Sequence, residues 1–134
     1  MALVERSSDA SLDTSTGVQA APISGNLYAG EDLDRVSVCR IDSDGKVYMA
    51  NGSADDPNAK VHGIVNRPAN EGEPVTLYPP DTRFGYSEGN LTPGQPLYLA
   101  ATSGRLDDAA TTGGTEPIAH AVGESDIVFA TKNL

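Results

Sequence analysis

The chain has 134 residues and a formal net charge of −10, from nine Lys and Arg against nineteen Asp and Glu. That balance argues against nucleic acid or an anionic membrane surface as a partner, and the length allows one domain with at most an appendage. With five Tyr, two Phe and no Trp, the core must be small and built from Val, Ile, Leu and Ala, so stability is either modest or supplemented by partner subunits.

Residues 1–24 stand apart. A polar Ser/Thr/Asp tract from Ser7 to Gly17 has no hydrophobic period and cannot offset its ordering entropy by burial. Leu3, Val4, Leu12, Val18 and Ile23 are spaced along it. They read as anchors of an extended arm, disordered when free, that orders against a partner; a plain unstructured tail is the other reading. The first residues lack the apolar core of a signal peptide, and no run approaches membrane-spanning length, so a chain made and kept in a cytosol is expected.

From residue 25 to 134 the text alternates turn and strand. Val36 to Ile41 is a strand with Val36 and Val38 on one side and Cys39 and Ile41 on the other. Asp42-Ser43-Asp44-Gly45 is a hairpin turn, and Lys46 to Ala50 returns from it. A brief helix could start at Ser53 to Asp56 before Pro57 stops it. Ala59 to Val65 is a strand with Gly63 inside it, which marks a bulge or a close backbone approach. Asn66 to Pro74 is a polar turn region, and Val75 to Tyr78 is a strand ended by Pro79-Pro80. Strands then follow at Asp81 to Tyr86, Leu97 to Ala101, Pro117 to Val122 and Ile127 to Ala130. The fold class is all-β: a small barrel-like or sandwich-like domain of short strands.

The chain also repeats itself. Asn26-Leu27-Tyr28-Ala29-Gly30 through Leu33 is echoed by Asn90-Leu91-Thr92-Pro93-Gly94 through Leu97. Asp44-Gly45-Lys46-Val47 is echoed by Ser103-Gly104-Arg105-Leu106, and Val61 to Val65 by Ile118 to Val122. The echo of Val75-Thr76-Leu77 is Ile127-Val128-Phe129. The pseudo-repeats span about 25–78 and 85–130. Gly30 and Gly94 read as glycines supplying a conformation other residues resist. Two copies are too few for a solenoid but can close on one another as one rigid unit.

Catalytic chemistry is hard to find. Asp42 to Gly45 begins like a calcium loop, but Lys46 and Val47 stand where further oxygen ligands are needed. His62 and His120 lie in apolar strands near matching places, offset by about two positions, without Cys or carboxylate at ligand spacing. They read as structural, and no metal or other cofactor is expected. Ser87, between Gly85 and Gly89, lacks the strand-to-helix context of a nucleophile elbow. Cys39 is alone and reads as a small core residue. No enzyme is expected.

Gly30 to Leu33, Asp44 to Ala50, Val61 to Val65, Gly72 to Leu77 and Leu91 to Tyr98 together resemble the capsid decoration, or cement, proteins of tailed bacteriophages. The resemblance covers about residues 25–130 and rests on turn and strand patterns. It implies a small β domain on the outer surface of the virion's head, synthesised in the host cytoplasm. It further implies a homotrimer, with a dimer possible, that ties major capsid protein subunits together. Residues 1–24 would be its capsid-binding arm. A carbohydrate- or host-surface-binding module is the alternative, with Tyr28, Tyr78, Tyr86 and Tyr98 exposed to stack on sugars. A small hydrolase comes third and needs a pocket with converging polar groups.

Overall fold

The computed structural model describes residues 3–12, 22–53 and 57–134. The chain is all-β. Its strands are β1 (Ser11–Leu12), β2 (Val38–Ile41), β3 (Val47–Met49), β4 (Gly63–Ile64), β5 (Arg83–Gly85), β6 (Pro96–Leu99), β7 (Leu106–Asp107), β8 (Ala119–Ala121) and β9 (Asp126–Phe129). They form a six-stranded sheet, β1-β5-β9-β8-β6-β7, and a three-stranded sheet, β3-β2-β4. All strand pairs are antiparallel, and β2–β3, β6–β7 and β8–β9 are joined by short turns. No closed barrel forms among the described residues. The brief helix expected at Ser53 to Asp56 falls partly outside them, and a 3-10 turn, Pro57–Ala59, follows.

The sequence echo is an echo of topology. β2 lies between β3 and β4 as β6 lies between β7 and β8. The Asp42 N–H donates to the Lys46 carbonyl across one hairpin, and the Ala100 N–H to the Arg105 carbonyl across the other. Gly45 and Gly104 take positive φ at the same place in these turns. Outward from β4 the pairing continues through Ile64 with Tyr78 and Leu77 with Ile23; outward from β8 it continues through β9 and then β5. Each half therefore has the same strand order, with its second strand between its third and fourth.

The octets that announced the repeat are not its true register. Cys39 pairs with Gly63 as Leu97 pairs with Ala119. That sets Leu33 against Leu91, both buried, and Val36 against Gly94. Val36 has φ 44° and Gly94 φ 85°. The backbone thus demands a left-handed residue at this corner in both halves, and the first half meets the demand with a buried valine at roughly 1–2 kcal/mol of strain. Gly30 takes no such φ; the ring of Tyr48 lies where its Cβ would be. The expectation that Gly30 and Gly94 play one role is corrected accordingly.

Two apolar clusters flank β2, because alternate residues of a strand face opposite ways. Val36, Val38 and Ile64 join Phe84, Leu97, Leu99 and Phe129 in a core that both sheets share. Cys39 and Val47 join Val65, Val75 and Leu77 in a second, smaller one. Tyr78 meets Phe84 edge to face, with ring centroids 6.3 Å apart.

The described N-terminal residues lie against the domain. Leu3 bridges Asp107 on β7, and the Val4 N–H donates to the Leu106 carbonyl at 3.0 Å. The Ser7 N–H reaches the Tyr86 carbonyl at 2.6 Å, and β1 pairs with β5. Residues 3–12 therefore run from one edge of the six-stranded sheet to the other, as a strap across its open side. Val4 and Ala10 are buried beneath it. Residues 3–12 are held by hydrogen bonds and by Val4, Ala10 and Leu12 against the larger core, and no hydrophobic period signals those contacts.

Gly63 tests the packing between β4 and the strand beyond it. A Cβ there would lie 2.8 Å from the Leu77 Cβ and 3.1 Å from the Tyr78 carbonyl oxygen, whereas one on Gly123 meets nothing within 4 Å. Gly63→Ala should lower the unfolding free energy by about 1–3 kcal/mol, and Gly123→Ala should leave it within about 0.5 kcal/mol. Urea titration of the two variants measures both.

Candidate functional site

The strap is the first candidate surface, because it carries the residues the sequence marked for attachment. Leu3 is 37 % exposed, Val4 is buried, Leu12 and Ile23 are half-buried, and Val18 lies outside the described residues. Ile23 does not belong to the strap: it pairs with Leu77 and packs on the smaller core. Three arginines fix the strap from below. Arg105 Nη2 donates to the Val4 carbonyl at 3.1 Å, and Arg35 Nη1 to the Ala10 carbonyl at 3.4 Å. Arg6, itself in the strap, pairs with Asp34 at 3.3 Å. Sequence reasoning missed all three, since nothing in their spacing distinguishes them from solvated charges. The outer side stays polar, with Ser7 Oγ donating to Glu88.

A cleft of about 310 Å³ is the second candidate. Val65, Ala69 and Val75 form its apolar floor, and Asn66, Arg67, Glu73, Thr76 and Tyr78 bring polar groups to it. The sequence showed this stretch only as a polar turn. The strap touches the cleft at one point, where the Leu12 N–H donates to Asn66 Oδ1 at 2.6 Å.

The tyrosines do not form one exposed platform. Tyr28 is exposed and Tyr78 and Tyr98 are half-buried. Tyr86 is 1 % exposed and inside the core, and its hydroxyl accepts the Leu106 N–H at 3.2 Å. Burial raises its phenol pKa. Tyr86 is thereby removed from any sugar-stacking set. It has an architectural task instead, since Leu106 corresponds to Val47, whose N–H is satisfied by the Tyr28 carbonyl.

The remaining titratable groups are tied into the fold. Asp42 Oδ1 accepts the Ser43 N–H and Asp44 Oδ1 the Lys46 N–H, holding the hairpin turn. The Tyr48 hydroxyl donates to Asp44 Oδ2, which lowers the Asp44 pKa and raises that of Tyr48. His62 Nδ1 accepts the Ile41 N–H at 3.0 Å, which requires an unprotonated Nδ1. Burial, then Lys132 and Lys60, lowers the His62 pKa. His120 is exposed on β8, in register with Ile64 of the first half, so the two histidines hold different positions of the repeat. No group of three His, Cys, Asp or Glu is placed to hold a metal among the described residues. Cys39 is fully buried, and that burial pushes its thiol from 9.0 up to about 12.

Comparison with protein-family models, with curated proteins and with solved structures finds no match.

Two pH effects follow from these environments. The folded Cys39 thiol titrates above its unfolded value, so its contribution is complete below pH 9 and is lost as pH rises toward 12. Stability should fall by about 1.4 kcal/mol per pH unit in that window, and Cys39→Ala should lack this part of the decline in urea titrations. Native protein at pH 8 should also resist iodoacetamide until denaturant is added. His62 has the opposite sense: its folded pKa is depressed, so its contribution is present above the ordinary pKa of 6.5 and declines as pH falls below it. The acid-side loss in melting temperature should be smaller in His62→Gln than in the parent chain.

Proposed function

We propose that this chain is a capsid decoration protein of a tailed bacteriophage. It binds the outside of the expanded head and clamps neighbouring major capsid subunits against internal DNA pressure. The observation that carries this reading is the N-terminal strap. It adds an exposed Leu3 and a polar outer side, with Ser7 and Ser11 at the surface, to a twice-built β scaffold. The family resemblance of the turn and strand motifs supports the same reading, as does the net charge of −10, which suits steering toward a basic partner surface.

The mechanism is multivalent. A trimer presents several straps and turns to several capsid subunits at once, so weak single contacts sum to firm attachment. Binding the expanded lattice alone stabilises that lattice by mass action. Light scattering of the purified protein and co-sedimentation with undecorated heads test this directly. A trimer that pellets with expanded heads and raises their heat resistance is expected. A monomer that ignores heads overturns the reading.

Two variants separate attachment from folding. Leu3→Glu changes an exposed side chain, so its melting temperature should stay near that of the parent while head affinity falls about tenfold, equivalent to about 1.4 kcal/mol. Deleting residues 1–24 removes the buried Val4 and Ala10 as well as the attachment surface. It should cost at least about 2 kcal/mol of stability in addition to head binding, as urea titration and sedimentation would show.

A further inference from the structure

The two halves differ at one place in their shared topology. In the second half, β8 and β9 stay paired to the turn: His120 opposes Val128, Ala121 opposes Ile127, and the Val122 N–H donates to the Asp126 carbonyl at 3.0 Å. Residues 123–125 close that turn. In the first half Ile64 and Tyr78 exchange both backbone bonds, at 3.2 and 2.9 Å. The next bonded pair would be Asn66 with Thr76. It does not form: among the described residues neither backbone has a hydrogen-bond partner. Residues 67–75 replace the tight turn, and the strands part around the cleft.

We propose that this opening is a binding site for an extended peptide segment of a partner protein, carrying a lysine or arginine. The ladder supplies the reason for an extended chain. Asn66 and Thr76 each present an N–H and a carbonyl at the end of an otherwise paired sheet, which is where an added strand gains main-chain bonds. The Leu12 N–H on Asn66 Oδ1 shows that an extended backbone already comes within bonding distance of the same rim. The floor of Val65, Ala69 and Val75 receives one small apolar side chain of such a segment. Charge selects the other. Glu73 lines the cleft and Glu71 is exposed on the same loop, with Asp32 accepting the Glu71 N–H at 2.9 Å. Arg67 is the one cation among the lining residues. The loop is held away from the strand pair: Ala69 exchanges backbone bonds with Leu33, and Gly72, Glu73 and Val75 bond Ala29 and Leu27, so the opening is built into the first half, whereas the second half closes the same strand pair with a tight turn.

The test uses the full chain, isotopically labelled, with the peptide acetyl-Val-Thr-Lys-Thr-Val-amide followed by amide chemical shifts. Saturable shifts confined to residues 65–69 and 73–78 are expected. They should vanish with the peptide methylated on its backbone nitrogens, and weaken about threefold in the double variant Glu71→Gln, Glu73→Gln, in which both side chains are exposed and the glutamine at position 73 keeps an oxygen to accept the Asn70 N–H that Glu73 Oε1 accepts. No shift at those amides in millimolar peptide overturns the proposal. Equal binding of the methylated peptide, or of its glutamate counterpart, also overturns it. So does saturation of the same amides by maltopentaose in place of the peptide. Because no heads are used, failure here leaves the capsid reading standing, and failure of head binding leaves this one.

Discussion

An open β-sheet must do something with its edges, and this fold is arranged around how that is done. The six-stranded sheet ends in β1 and β7, and residues 3–12 touch both ends. One short segment therefore satisfies main-chain groups at opposite margins, where bare edges would invite uncontrolled pairing. Its hold combines apolar contact with hydrogen bonding. Val4, Ala10 and Leu12 pack on the larger core, Arg35 and Arg105 donate to its carbonyls, and its N–H groups donate to the Leu106 and Tyr86 carbonyls. Charge-assisted bonds to carbonyls suit a chain with so few aromatic residues.

The internal repeat explains both the economy of the fold and its departures from symmetry. Each half has one strand order, and its hairpin turns on a positive-φ glycine, Gly45 or Gly104. What differs is what lies beside the hairpins. The Val47 carbonyl accepts the Gly30 N–H from its own half, while the Leu106 carbonyl accepts the Val4 N–H from the strap. The strap thus completes the second half where the first half completes itself. Val36 shows the reverse imbalance, since it bears a backbone strain that Gly94 avoids. It is retained because its side chain fills the shared core.

Much of this was legible beforehand. Alternation from Val36 to Ile41 placed Val38 and Cys39 on opposite faces, and they do enter different clusters. The turn at Asp42 to Gly45 announced the first hairpin, because Asx and Gly act locally, and Ser103-Gly104 marked its echo, but the short β7 after it is not among the expected strands. The parts that stayed hidden depend on distant partners. Nothing near Ser11 or Leu12 says that they pair with β5, and nothing near Tyr86 says that its hydroxyl serves Leu106. The cleft was hidden for the same reason, since it exists only by comparison with a turn in the other half. The octet Asn26 to Leu33 misled because similar letters there serve different contacts, a ring against Gly30 and a turn at Gly94.

The strap's double position constrains how it could act on a partner. Releasing it would expose Val4 and Ala10 and leave the Leu106 and Tyr86 carbonyls without their bonds. Any partner that pulled the whole segment away would have to offset that loss, of the order of a few kcal/mol, before gaining affinity. Contact with the strap in place avoids the loss. Leu3 and Ser11 are already exposed, so side-chain contact with a partner leaves the sheet beneath intact.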